Sequence, residues 1–238
     1  MLEVFFFPSP NGQKVAIALE ECGLPYRLRI VDILRGEQFD PAFLAISPNN
    51  KIPALLDLDC PGGPLTIFES GAILVYLAEK AQRFLPVETH ARFEVLQWLF
   101  WQVAGLGPMA GQAHHFRAFA PQQVPYAITR YTEEVSRLYA ALERRLIDRE
   151  FIAGEYSIAD MATYPWIVPH ARQGQSLEDF PQLRRWFETV GARPAVRRAC
   201  ELGQERPADA EAQRFLYGQS ARTVAEHIAA REPDRGAS

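Results

Sequence analysis

The apolar run at residues 2–7 stops abruptly at Pro8-Ser9-Pro10-Asn11-Gly12, which predicts a buried strand followed by a tight turn. Val15, Leu19 and Cys22 then recur at helical spacing, with Gly23 placed to end that helix. Residues 26–31 predict a second strand, and strand–helix–strand at these lengths makes the two strands parallel. Residues 35–46 are polar and irregular, with a short helix expected around Pro41-Ala42-Phe43-Leu44. The polar approach Ser47-Pro48-Asn49-Asn50-Lys51 runs into a short apolar strand, Ile52-Pro53-Ala54-Leu55-Leu56-Asp57. Proline carries no N–H, so a strand that opens with one leaves its ladder incomplete there. Ile52, biased toward extended geometry by the following proline, keeps backbone groups free for a peptide-like guest. Thr66-Ile67-Phe68 predicts another strand, joined to the last by the turn Cys60-Pro61-Gly62-Gly63-Pro64 as an antiparallel hairpin. Ser70 is expected to cap a helix over residues 72–80.

After Phe84-Leu85-Pro86 the pattern turns wholly helical. Helices are expected over residues 88–116, 124–146, 157–171 and 181–192, the second with a stripe of Val135, Leu138, Leu142 and Leu146. Ser157-Ile158-Ala159-Asp160 fits a capping box with Asp in place of the longer Glu, a folding role. The expected organisation is a thioredoxin-like βαβ–ββα domain at 1–83, an all-helical domain at 88–205 and a C-terminal extension at 206–238. Within the extension, Phe215-Leu216-Tyr217 is expected to dock on the body, and residues 232–238 to be disordered.

Composition narrows the function. The 238 residues are 48% hydrophobic and 23% charged, ordinary for a globular protein with one large or two small cores. Net charge is −4 with no Lys/Arg run, so no nucleic-acid partner is expected. Val4-Phe5-Phe6-Phe7 is too short for a signal segment and no stretch reaches membrane-spanning length. Three scattered cysteines, Cys22, Cys60 and Cys200, have neither disulfide nor metal spacing, which points to a reducing cytoplasm. His114 and His115 diverge by about 100° on a helix and have no third ligand at useful spacing, so no metal is expected. Trp98, Phe100, Trp101 and Phe116 are expected to fill the helical core or line a second-substrate pocket.

An edge dock at Ile52, an anion nest at the head of the Ser70 helix and an acid at Glu69 together suit a small peptide bearing a carboxylate and an ammonium. Glutathione is such a peptide. Each piece also has a plain structural reading: Pro53 as a turn residue and Ser70 as a helix cap. At the head of the first helix, Ser9 and Asn11 could donate hydrogen bonds to a thiolate, or serve only to cap that helix. No Tyr occurs before Tyr26. Cys22 sits roughly 15 Å from the helix head at 1.5 Å per residue and is expected to be core.

The order of these pieces resembles the cytosolic glutathione transferases. The resemblance is carried by Asn49-Asn50-Lys51-Ile52-Pro53, Phe68-Glu69-Ser70-Gly71-Ala72-Ile73 and Tyr156-Ser157-Ile158-Ala159-Asp160. Ser9-Pro10-Asn11-Gly12, Gln38-Phe39, residues 96–102 and Tyr126-Ala127-Ile128-Thr129-Arg130-Tyr131 narrow it to the nu-class bacterial enzymes, relatives of a yeast nitrogen regulator. The resemblance covers about residues 1–200. It implies a cis Ile52–Pro53 peptide, with Ile52 holding the cysteinyl part of glutathione. Glu69 would take the α-ammonium, Ser70 the γ-glutamyl carboxylate, and Gln38 with Lys51 the glycyl end. It also implies a homodimer, and a disulfide-bond oxidoreductase that uses glutathione as co-substrate and its thiol as the reacting sulfur. Ser9 and Asn11 would stabilise that thiolate, and Arg130, otherwise a solvated charge, would bind a second glutathione. Two alternatives stand beside this: a transferase conjugating glutathione to electrophiles, and a non-enzymatic regulator like the yeast relative. The Asn-rich head of that relative is absent here, which argues against the second.

Overall fold

The computed structural model describes residues 1–203, 210–217 and 219–231. Strand β1 (Leu2–Phe6) leads into helix α1 (Pro10–Cys22) through Ser9, whose hydroxyl oxygen accepts the Gly12 N–H at 3.2 Å. Gly12 has to be glycine: a Cβ there would lie 2.2 Å from the Phe7 carbonyl oxygen. Gly23 ends α1 at φ 64°, a left-handed conformation that costs glycine nothing. Strand β2 (Tyr26–Ile30) pairs parallel to β1. A 3₁₀ turn (Glu37–Phe39) and the short helix α2 (Pro41–Leu44) occupy the irregular segment.

Strands β3 (Ala54–Asp57) and β4 (Leu65–Phe68) form the expected hairpin, and β3 also pairs antiparallel to β1. The four-stranded sheet therefore runs β2-β1-β3-β4. Strand β3 opens at Ala54 rather than at the proline, which has no N–H to give the ladder; the Ile52–Pro53 peptide is cis. Helix α3 (Ser70–Ala81) also differs from expectation: Glu69, not Ser70, is its N-cap, and Ser70 is its first residue. Glu69 adopts φ 70° and ψ 115°, which swings the chain from β4 directly into the helix.

The second half is helical. Helix α4 (Thr89–Trp101), a π turn (Gln102–Leu106), helix α5 (Gly107–His114) and a second π turn (His115–Phe119) replace the single expected rod. Pro108 explains the first break, since it has no N–H to return to the preceding turn and its ring crowds that carbonyl. Helix α6 (Pro125–Arg145) buries the predicted stripe, with Val135, Leu142 and Leu146 fully inaccessible. Helix α7 (Ile158–Ile167) starts in the predicted capping box, both of whose bonds are present. It stops short of residue 171, where a 3₁₀ turn (His170–Gln173) follows Pro169. Helix α8 (Pro181–Gly191) matches its pattern; α9 (Pro194–Cys200), α10 (Ala210–Leu216) and α11 (Ala221–Ala229) were not expected.

One continuous core runs from Leu2 in the sheet to Ala199 in α9, so the two halves share an interior. Phe116 stacks on Tyr131 at 5.5 Å, whereas Phe100, expected in the core or on a second-substrate pocket, is 63% exposed on α4. The Phe215–Tyr217 cluster docks as expected: Phe215 packs on Phe39, and Tyr217 on His115 and Phe119. Residues 232–238 lie outside the described residues.

Candidate functional site

The turn before Pro53 is built by its own side chains. Ser47, fully buried, donates its hydroxyl to the Lys51 carbonyl at 2.8 Å, while the Asn50 N–H donates to the Ser47 carbonyl at 2.9 Å. Asn50 closes the turn at φ 47°, a left-handed conformation that asparagine tolerates. The Ile52–Pro53 peptide that follows is cis, and Ile52 lines the groove described next. Across from it stands Glu69 with its positive φ, a conformation of the kind that persists at ligand sites when surrounding structure enforces it.

A cavity of about 160 Å³ lies between these elements, and Asn11, Lys51, Ile52, Pro53, Glu69 and Ser70 all line it. Residues drawn from α1, the cis turn and the head of α3 thus converge on one polar groove. Its donors and acceptors suit a zwitterionic peptide: an amide row at the head of α3, an ammonium at Lys51 and a carboxylate at Glu69.

Three predicted residues stand elsewhere. Ser9 faces a second, larger cavity of about 450 Å³, with Pro10, Gln13, His114 and Arg172 among its walls. The Ser9 oxygen is used as a helix cap, which leaves its O–H proton free to donate. Gln38 does not reach the groove: it is 3% exposed and its Nε2 donates to the Phe215 carbonyl at 3.0 Å, because the C-terminal extension lies over it. Arg130 lines neither cavity; its exposed guanidinium lies 4.0 Å from Glu134, one helical turn on.

Two residues escaped the sequence reading. Trp166 of α7 donates its indole N–H to Asn11 Oδ1 at 3.0 Å. Indole only donates, so the Asn11 oxygen must face it and the Asn11 NH₂ is left for the groove. Lys14 of α1 is 2% exposed and donates to Ser70 Oγ at 3.4 Å. Burial pulls its pKa down to about 7, against the field of Glu69, which raises it. A signal for Lys14 was present, since Val15-Ala16-Ile17-Ala18-Leu19 has no polar face and such a helix is buried all round. No comparable signal exists for Trp166, whose partner is 155 positions away.

No cysteine lines the smaller cavity. Burial pushes the Cys22 thiol up to about 11, and Cys200, on the wall of the larger cavity, is raised by the same cause. Both are protonated near neutrality and weak nucleophiles. Among the described residues no cluster of three or more His, Cys, Asp or Glu could hold a metal ion, and no helix is long and apolar enough to cross a membrane.

A thioredoxin-like sheet with a cis-proline groove, fused to this helical half, defines a glutathione transferase fold. Residues 8–80 match the family profile described as glutathione S-transferase, N-terminal domain, and residues 106–194 that of the C-terminal domain. The chain belongs to the glutathione S-transferase family. It is 52% identical over 212 residues to the disulfide-bond oxidoreductase YfcG of Escherichia coli strain K12, covering 87% of this chain and 99% of that protein. A glutathione transferase family member from Pseudomonas fluorescens, solved with two glutathione bound, superposes with a TM-score of 0.80 at 44% identity, covering 84% of this chain and 92% of that one. The glutathione transferase from Pseudomonas putida, with one glutathione disulfide per subunit, gives 0.81 at 40% identity, with coverage of 85% and 92%.

Proposed function

We propose that the protein is a glutathione-dependent disulfide-bond oxidoreductase, in which the only reacting thiol is that of glutathione. The carrying observation is that Asn11, oriented by Trp166, shares one cysteine-free groove with Ile52, Glu69 and Ser70. Glutathione lies along the Ile52 backbone as an added strand. Its γ-glutamyl carboxylate meets Ser70 and the first amides of α3, its ammonium meets Glu69, and its glycyl carboxylate meets Lys51. The cysteinyl sulfur then faces the Asn11 NH₂ and the head of α1, whose donors and positive dipole favour the thiolate.

The thiolate attacks one sulfur of a disulfide; a new S–S bond forms, the old one breaks, and the second sulfur leaves as a thiolate that takes up a proton. A second glutathione attacks the mixed disulfide in the same way, releasing oxidised glutathione and the second thiol. Alignment of the sulfurs and donors to both anions are what the site contributes. The larger cavity beside Ser9 receives the second substrate, with Ser9 donating to the departing thiolate. Arg130, exposed on α6 outside both cavities, is the proposed anchor for the carboxylate of a second glutathione that extends beyond the larger cavity. Arg130→Ala is expected to raise KM for the disulfide severalfold while calorimetry shows first-glutathione binding unchanged.

The deciding assay compares turnover of a small disulfide with turnover of an aryl halide, both with glutathione. Disulfide reduction is expected to dominate. Brisk conjugation with negligible disulfide turnover would make the protein a conjugating transferase, a reading favoured by the apolar walls of the larger cavity. The protein acts in a reducing compartment, the cytoplasm, where glutathione is plentiful. It works as a homodimer, a reading supported by Phe93 and Phe100, exposed two turns apart on α4. Light scattering after gel filtration tests that state.

A further inference from the structure

Lys14 sits where a lysine is costly. Its side chain is fully buried between α1 and the head of α3, where an ammonium loses its hydration. Methionine would fill the same space with no charge to desolvate. The groove offers a reason for the lysine. Lys14 Nζ donates to Ser70 Oγ, and Ser70 lines the smaller cavity. An ammonium has donors and no acceptor, so the Ser70 oxygen is committed as an acceptor on its inner side. The Ser70 proton is thereby left for the cavity.

We propose that Lys14 is a positioning residue for glutathione: it turns the Ser70 hydroxyl outward as a donor to the γ-glutamyl carboxylate and sets a buried positive charge behind it. This rests on glutathione occupying the groove, as proposed above. Among the described residues Lys14 is the charged group that donates to Ser70. Helix α1 packs on α3, α7 and α9. From α3, Glu69 acts on Lys14. The acids further along α1, Glu20 and Glu21, are engaged by Arg198 and Arg193, and Asp160 of α7 is held by Ile152, Ser157 and Trp186.

The arrangement has a protonic signature. In the free protein Lys14 titrates at about 7, so near pH 8 it is mostly neutral. A carboxylate arriving beside Ser70 favours the charged form, so binding draws in a proton at about pH 8. At about pH 6 Lys14 is mostly charged in both states, and uptake there is small.

The test is titration calorimetry with S-hexylglutathione, which has no ionisable thiol, in buffers of different ionisation enthalpy. Wild type is expected to take up more than about half a proton near pH 8. Lys14→Met is expected to lose most of that uptake and to bind about tenfold more weakly, a loss of the size expected for a charge-assisted hydrogen bond. In turnover, KM for glutathione rises by a similar factor while kcat stays within about twofold. Lys14→Gln, a neutral donor of similar reach, recovers part of the affinity and none of the uptake. In a Ser70→Ala background the further cost of Lys14→Met shrinks to about twofold, because Lys14 acts through that hydroxyl. Uptake and affinity unchanged in Lys14→Met, or a full tenfold loss persisting without Ser70, would overturn the proposal. Failure of wild type to bind S-hexylglutathione would instead remove glutathione from the groove, and the proposal with it.

Discussion

Asn11 shows how a single contact decides what a side chain can do. A primary amide can present oxygen or NH₂ to a ligand, and only the NH₂ stabilises a thiolate. Trp166 settles the choice by taking the oxygen. Asn11→Ala is therefore expected to lower kcat for disulfide reduction at least about tenfold, the lower end for loss of one donor to a developing anion. Unchanged kcat would remove Asn11 from the chemistry. Asp160 is the structural counterpart. Its Oδ1 accepts the Ile152 N–H at 2.9 Å and the Trp186 indole N–H at 2.8 Å; its Oδ2 accepts the Ser157 N–H at 3.0 Å and the Ser157 hydroxyl at 3.2 Å. Full burial pushes its pKa up to about 6, and these four donors hold it lower than burial alone would. Asp160→Asn turns an NH₂ toward two donors and strands them. The expected cost is about 3 kcal/mol, read as a fall in Tm of roughly 6–12 °C.

The elements that shape the groove do so through their ends. Helix α3 begins at Ser70 because Glu69 takes a positive φ, and Glu69 and Ser70 at its head both line the cavity. Between α4 and α5, and again after α5, π turns replace regular helix. The tail helices α10 and α11 act by covering. Phe215 gives its carbonyl to Gln38, packs on Phe39, and lies 5.1 Å from the ring of His227 in α11. Arg231 ties the end of the described tail to Asp40 and to the Arg35 carbonyl. Gln38 is thereby withheld from the groove. Phe215→Ala is expected to loosen this cover and lower KM for glutathione about threefold, one hydrogen bond's worth of recovered binding. A rise in KM would mean that the tail itself helps to hold the ligand.

Across the whole molecule, the two halves are joined by more than a linker. Helix α1 packs on α7 and α9, and the Ile158 N–H donates to the Phe84 carbonyl at 3.1 Å. Arg193 grips Glu21 in a two-pronged ion pair at 2.6 and 2.9 Å, its guanidinium 3.7 Å from the centre of the Tyr156 ring. The Glu21 side chain is only 6% exposed, so removal of its partner leaves a carboxylate nearly without water. Arg193→Ala is expected to cost about 3 kcal/mol, seen as a lower denaturation midpoint with one transition retained. Two separated transitions in wild type would contradict a shared core. The groove needs that rigidity, since Asn11 and Trp166 belong to different halves.

Local pattern was enough to place β1 through α3, the stripe of α6 and the capping box at Ser157, because alternation, helical period and cap chemistry are properties of neighbouring residues. The resemblance carried by the motifs around Ile52 and Glu69 pointed to the groove and its ligand class. Helices α9, α10 and α11 went unseen: they are short, and their packing faces mean little until α1, Phe39 and His115 stand opposite. The family motif assigns Gln38 and Arg130 to the ligand, but the tail and the exposed face of α6 decide where they lie. Lys14 became a buried charge, and Asn11 a donor aimed by Trp166, only once α1 was packed between α3 and α7. Partners so far apart along the chain leave no periodic trace, and burial is a property of what surrounds a residue in space.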